Sequence, residues 1–175
     1  MFFRMNPLGI ADPDLAQWFL TIDMNRNGAI SADELRVSLT NKNWQHFNSE
    51  TVRLIIEMFD KDNSATINGK EFQELWKYVQ NWEAVFDRFD GDRSGNINMS
   101  ELENAGISFG YKLSKLLYSA LITEFDTSAK GGIDIDDFIQ CFIFLRKLNL
   151  GFGAHGPDGD GVASINYEQF LSIVL

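Results

Sequence analysis

The chain has 175 residues, 45% of them hydrophobic and 23% charged, a balance that supports a folded globular core and excludes both a disordered segment and a membrane-embedded chain. Its formal net charge of −10 argues against a nucleic-acid surface, which needs Lys and Arg to neutralise phosphates, and favours a cationic ligand. The single cysteine, Cys141, excludes an intramolecular disulfide and a multi-cysteine zinc site, and its apolar setting FIQCFIFL reads as a buried structural thiol.

Residues 1–14 form a short N-terminal segment in which Arg4, Asn6, Pro7 and Asp12 interrupt any apolar run. No signal-peptide core is expected there, and a cytoplasmic location is the default reading. Beyond this segment the sequence repeats itself. DMNRNGAISADE (23–34), DKDNSATINGKE (60–71), DGDRSGNINMSE (90–101) and DTSAKGGIDIDD (126–137) each open on Asp, carry Ile at the eighth place and close on a carboxylate. That is the EF-hand pattern. Calcium takes six to eight oxygen ligands, and a twelve-residue loop supplies them from positions 1, 3, 5, 7, 9 and 12, with glycine at position 6 for a sharp turn.

The first loop offers Asp23, Asn25, Asn27, the Ala29 carbonyl, Ser31 and Glu34, with Gly28 at the turn. It has two charged ligands, which predicts binding of moderate affinity. The 25 residues that follow contain the polar break SLTNKNWQHFNSE, a length that fits a helix, a linker bearing Trp44 and a second helix capped by Asn48 or Ser49. The second loop offers Asp60, Asp62, Ser64, the Thr66 carbonyl, Asn68 and Glu71, but Ala65 replaces the turn glycine. A left-handed backbone costs a residue with a Cβ about 1–2 kcal/mol, which offsets the extra charge.

Only 18 residues, FQELWKYVQNWEAVFDRF, separate the second loop from the third, and they contain no Gly or Pro. Their apolar residues, Trp76 and Trp82 included, recur at steps of three and four. One amphipathic helix of about 27 Å is therefore predicted to serve both hands. The third loop is complete: Asp90, Asp92, Ser94, the Asn96 carbonyl, Asn98 and Glu101, with Gly95 at the turn. After a break around NAGISFGYKLS comes the fourth loop, which places Lys130 at a ligand position and closes on the shorter Asp137. It is predicted to be empty of metal, with Ile133 still pairing with Ile97.

FIQCFIFLRKLNLGF then leads toward a last, damaged loop at about residues 156–169, which has Asp158, Asp160 and Gly161 but ends on the neutral Gln169. The fold class is thus all-α, with five helix-loop-helix units, two pairs plus an unpaired fifth, and short β-strands in the loops. An odd hand leaves a strand edge and an apolar helix face uncovered. A second chain pairing fifth hand with fifth hand would cover both, through Ile165, Tyr167, Phe170, Leu171, Ile173 and Val174.

These features together resemble the penta-EF-hand family. The residues that carry the resemblance are the five loops, the shared helix with WKYVQNW, NKNWQHFN after the first hand, DDFIQCFIFL after the fourth and the terminal YEQFLSIVL, and it covers residues 15–175. The complete Asp-initiated first loop is similar to that of the group I members, the peflin and apoptosis-linked proteins. The resemblance implies a dimer through the fifth hands, as a homodimer or a heterodimer with another family member. It also implies a groove for a Pro-rich or hydrophobic partner, walled by Trp44, Trp76 and Trp82. Two departures are noted: the Gly/Pro-rich N-terminal extension common in the family is not seen, so its functions are not expected here, and Gly156 stands where the fifth loop usually has Asp.

The sequence therefore predicts a Ca2+ sensor and adaptor that changes its exposed hydrophobic surface on binding and docks a protein, or a membrane in a calcium-dependent way. With five methionines against fifteen phenylalanines, that surface is aromatic. The alternatives are a Ca2+ buffer, held in the cytoplasm or a storage granule, and a regulatory subunit of a calpain-like protease. No enzymatic activity is expected, since His46 and His155 lie in polar linkers without a nucleophile or metal cluster beside them.

Overall fold

The computed structural model describes residue 10 and residues 12–154, 164–166 and 168–170. Helix α1 (Pro13–Ile22) starts where Asp12 accepts hydrogen bonds from the backbone N–H groups of Asp14 and Leu15 and Pro13 pre-sets the first turn. Strand β1 (Ala29–Ile30) and helix α2 (Ala32–Ser38) follow, then α3 (Ser49–Phe59), β2 (Ile67–Asn68) and α4 (Gly69–Phe89). The chain continues as α5 (Met99–Ser108), α6 (Lys115–Phe125) and α7 (Ile135–Ala154). Of the two caps open at the start of α3, Asn48 is the one used, its side chain accepting from Thr51 N.

Short loop strands tie the hands into pairs. β1 and β2 run antiparallel, with Ala29 opposite Asn68 and Ile30 opposite Ile67. Ile97 and Ile133 form the equivalent bridge in the second pair, as predicted, exchanging N–H···O bonds of 2.8 and 2.9 Å. The eighth-position isoleucines Ile30, Ile67, Ile97 and Ile133 are all fully buried, which explains why that position is apolar even in the loop that carries Lys130.

The two pairs are joined by α4, a single helix of 21 residues, as the short spacing required. Its apolar stripe Phe72, Leu75, Val79 and Phe86 is buried. Phe72 meets Phe19 of α1 edge-on, while Trp82 and Phe86 both meet Phe138 of α7 edge-on. α7 runs unbroken from the fourth loop toward the fifth hand, burying Ile135, Phe138, Ile139, Cys141, Phe142 and Leu145. Burial pushes the Cys141 thiol up to about 12, so it stays a neutral packing group.

Residues 41–48 form a tight turn between α2 and α3, closed by a bridge between Thr40 and His46. At its tip Trp44 has φ +60° and is 88% exposed, whereas Phe47 is anchored in the core. In the fifth hand, residues 164–166 are irregular rather than the strand expected around Ile165, because pairing there needs a second strand that none of the described residues supplies. Glu168–Phe170 is helical, while Tyr167, Leu171, Ile173 and Val174 lie outside the described residues. Among the described residues, no helix is long and apolar enough to cross a membrane.

Candidate metal centre

Each of the first four loops hangs on its opening aspartate. One oxygen of Asp23 accepts from Asn27 N at 3.1 Å and the other from Gly28 N at 2.9 Å. Asp60 does the same with Ser64 N and Ala65 N, Asp90 with Ser94 N and Gly95 N, and Asp126 with Lys130 N and Gly131 N. Holding two consecutive N–H groups on one carboxylate forces the chain to curl. Position 4 takes φ near +57° in Arg26, Asn63, Arg93 and Ala129, and position 6 is also left-handed in every loop. Ala65 adopts φ +58° there despite its Cβ.

The closing glutamates bind both ends of their loops. Oε1 of Glu34 accepts from Asn25 N at 3.2 Å, that of Glu71 from Lys61 N at 2.9 Å and that of Glu101 from Gly91 N at 2.9 Å. Oε2 in each case accepts from the ninth-position N–H: Ser31, Asn68 and Asn98, at 2.9–3.0 Å. Ninth-position side chains return the bond to the N–H of the glutamate, completing a capping box that starts α2, α4 and α5. The ninth and twelfth residues therefore serve the helix as well as the loop.

The carboxylates converge. One ligand atom from each of Asp60, Asp62 and Glu71 lies within 4.8 Å of the others, and the same holds for Asp90, Asp92 and Glu101. Ser64 and Ser94 sit beside these groups, donating to the Thr66 and Asn96 carbonyls at 3.2 and 3.0 Å. The Ser64 and Ser94 hydroxyls hold Asp62 and Asp92 below the usual carboxylate range, and backbone hydrogen bonding at Ser31 does the same for Glu34. These groups are anionic at neutral pH.

Asp23, Glu34 and Glu71 are 2–6% exposed, yet among the described residues no lysine or arginine pairs with them. Buried charges are expected to be paired or to coordinate a metal. An all-oxygen set of carboxylates, amides, hydroxyls and carbonyls fits a hard cation such as calcium. Loop one brings the same geometry with only Asp23 and Glu34 charged, its Asn25 and Asn27 oxygens being held by the N–H groups of Asn27 and Ala29.

The fourth loop keeps the shape and gives its oxygens other work. Lys130 Nζ lies 3.3 Å from Oδ2 of Asp134, neutralising the ninth-position carboxylate. Asp134 Oδ1 accepts from Asn43 Nδ2 at 2.7 Å and Asn96 Nδ2 at 2.6 Å. The closing Asp137 accepts from Thr127 Oγ1 at 2.7 Å and from Asn48 Nδ2, and burial pushes it up to about 6. In the fifth hand Gln169 stands in for the closing acid: its Oε1 accepts from Asn166 N at 2.8 Å and its N–H donates to Asn166 Oδ1 at 2.9 Å. The cap survives without the charge.

The tryptophans are not gathered into one site. Trp76 stacks on Trp18 at 5.7 Å, bordering a groove of about 510 Å³ between α1 and α4 that also includes Leu15 and Lys77. Trp82 packs among Tyr78, Phe109, Phe138 and Phe142, and borders a groove of about 430 Å³ with Met58 and Leu150. Trp44 stands apart from both. A third, apolar groove of about 330 Å³ is lined by Leu145, Leu148 and Phe152 of α7 together with Tyr111, Ile165 and Phe170.

Sequence reasoning missed Trp18, which lies three residues after buried Leu15 and four before buried Ile22, at the edge of the apolar stripe of α1, and stays half-exposed. It also missed Lys42, which pairs with Asp87 and Asp90 only because the turn at residues 41–48 brings it against α4.

Residues 12–77 match the family described as an EF-hand domain pair, residues 83–105 match the EF hand, and residues 102–142 match an EF-hand domain pair again. The chain is 37% identical to peflin of Xenopus laevis over 168 residues, which is 95% of this chain and 59% of that protein. It is 36% identical to human peflin, covering 57% of it, so the chain spans about three fifths of the length of these relatives. Identity to sorcin of Schistosoma japonicum is 42% over 154 residues, 88% of this chain and 90% of sorcin. In structure it is similar to a homolog of programmed cell death 6 protein from Leishmania major Friedlin, with TM-score 0.78, 26% identity and 91% of each chain covered. With carboxylate-lined loops of this geometry and relatives of this coverage, the chain belongs to the penta-EF-hand family of calcium-binding proteins.

Proposed function

We propose that the protein is a calcium sensor and adaptor rather than an enzyme, with loops one, two and three as its calcium sites. Asp23, Asn25, Asn27, Ala29, Ser31 and Glu34 would hold the first ion. Asp60, Asp62, Ser64, Thr66, Asn68 and Glu71 would hold the second, and Asp90, Asp92, Ser94, Asn96, Asn98 and Glu101 the third. The observation that carries the reading is one of placement. The two three-carboxylate clusters lie at opposite ends of α4, and the same helix presents Trp76 and Trp82 to two aromatic grooves. A change in either loop reaches a groove through a rigid element.

Calorimetric titration with calcium, repeated on Glu34→Ala, Glu71→Ala and Glu101→Ala, tests the sites. Loss of affinity is expected to be greatest for Glu101→Ala and least for Glu71→Ala. Tryptophan emission and retention on a hydrophobic resin test the sensor. Both should change when calcium is added, and if neither does the protein is a buffer.

The third groove supports a dimer through the fifth hand, because Ile165 and Phe170 already line an apolar face continuous with α7. A protein partner rich in proline or aromatic residues suits the Trp76 and Trp82 grooves. The cytoplasm is the proposed location.

A further inference from the structure

The turn between the first and second hands lies against the third and fourth loops. From this turn Lys42 extends along α4, its Nζ 3.5 Å from Oδ2 of Asp90 and closer still to Oδ1 of Asp87. The ammonium also stands 5.2 Å from the ring centroid of Phe86. A Cβ built on Gly95, the turn residue of the third loop, would meet the Cβ of Lys42 at 3.5 Å, so the lysine stem packs on the loop itself.

Asp90 is the first ligand position of loop three, and the Oδ2 facing Lys42 also accepts from Gly95 N. Its side chain is 1% exposed, so solvent and salt screen this pair less than an ordinary surface contact. Among the described residues, no lysine or arginine reaches the opening aspartates of loops one, two or four, Asp23, Asp60 and Asp126. Among the four described loops, the contact is particular to the third.

We propose that Lys42 is an intramolecular counter-ion of the third loop: it competes with a bound calcium ion for Asp90, lowers the affinity of that loop and ties its occupancy to the turn that carries Trp44. A lysine ammonium and a calcium ion at one buried carboxylate repel each other, and the repulsion grows as the local dielectric falls. When the loop fills, Lys42 keeps Asp87 and Phe86 but loses its hold on Asp90. The next residue, Asn43, shares Oδ1 of Asp134 with Asn96 of the same loop, and the N–H of Trp44 closes the turn on the Asn41 carbonyl at 3.0 Å. Release of Lys42 is thereby passed to the indole two residues on.

The proposal rests on the reading of loop three as a calcium site, and the experiment separates the two. Calcium titrations are run on the wild type, Lys42→Met, Lys42→Arg, Glu101→Ala and, as a control for charge alone, Lys112→Met in the turn between α5 and α6. Lys42→Met should bind calcium at loop three about two- to five-fold more tightly, the range expected for loss of one partly exposed ion pair. Lys42→Arg and Lys112→Met should match the wild type.

In calcium-free protein, the emission contributed by Trp44, taken as the difference from the matching Trp44→Phe variant, should already resemble that of the calcium-loaded wild type once Lys42 is Met. Unchanged or weaker affinity in Lys42→Met, with the loop-three event lost in Glu101→Ala, overturns the counter-ion role alone. Persistence of that event in Glu101→Ala overturns the calcium reading of the loop and the proposal with it.

Discussion

Ala65 stands where the other three described loops have glycine, and its φ of +58° shows that the loop imposes the left-handed turn on whatever residue it is given. The force comes from Asp60, whose two oxygens grip Ser64 N and Ala65 N at 3.0 and 2.8 Å. Ala65→Gly relieves about 1–2 kcal/mol of backbone cost while giving the unfolded chain about 0.4–1 kcal/mol of extra freedom. The variant is expected to gain roughly 0.5 kcal/mol in calcium-free stability and to bind calcium more tightly at loop two. Urea unfolding in chelator and a calcium titration check both, and a destabilised variant would show that the alanine is not strained. Individual ligand positions were legible because each needs an oxygen at a fixed spacing. The left-handed fourth positions were not, since Arg26, Arg93 and Ala129 have no intrinsic preference for that conformation and are placed there only when the loop closes.

At the scale of elements, the start of α7 is the junction that local patterns describe least well. Its first turn carries Asp136 and Asp137, both buried, which hold the start of α3: Asn48 N donates to Asp136 Oδ2 at 2.7 Å, Asn48 Nδ2 donates to Asp137, and Thr51 Oγ1 donates to the Asp136 carbonyl at 3.1 Å. Burial raises both carboxyls, Asp137 to about 6, against about 4 in an unfolded chain. The folded protein therefore holds a proton that the unfolded chain releases. This contribution is most favourable below about pH 4 and declines as pH rises, being lost above about pH 6. Asp137→Asn keeps an acceptor for Asn48 and offers Thr127 a donor. In chelator at pH 7.5 it should raise the thermal midpoint by about 3 °C or more, and the gap should close on acidification to pH 4.5. A variant less stable than wild type at pH 7.5 would mean that the two hydrogen bonds require the anion. The helices themselves were readable: 18 residues without Gly or Pro admit one helix between loops two and three, and α4 is that helix. The docking of residues 41–48 on the fourth loop was not, because contacts such as Asn43 to Asp134 span 91 positions and connect two polar loops that carry no periodicity.

At the scale of the whole molecule, the odd fifth hand remains the organising problem. A chain ending at Asn149 would lose Phe152, Ile165 and Phe170 and uncover Tyr111, Leu113, Leu145 and Leu148. Sedimentation of that chain should show a monomer or an aggregate where the intact protein is expected to be a dimer, and a stable truncated dimer would place the interface elsewhere. The paired hands, by contrast, are joined along the backbone by the rod α4, with Phe72 meeting Phe19 of the first pair and Trp82 and Phe86 meeting Phe138 of the second. The length of that rod is consequently as specified as its composition. One residue inserted at its middle would move everything beyond it by about 1.5 Å and rotate it by about 100°, turning Asp136 and Asp137 of α7 away from Asn48 and Thr51 of α3. The turn between α5 and α6, with Gly110 at φ +89° and open space around it, could absorb the same insertion with only local rearrangement. Among relatives of this chain, additions and deletions should therefore collect between helices and at the two ends, leaving the spacing from Glu71 to Asp90 unaltered.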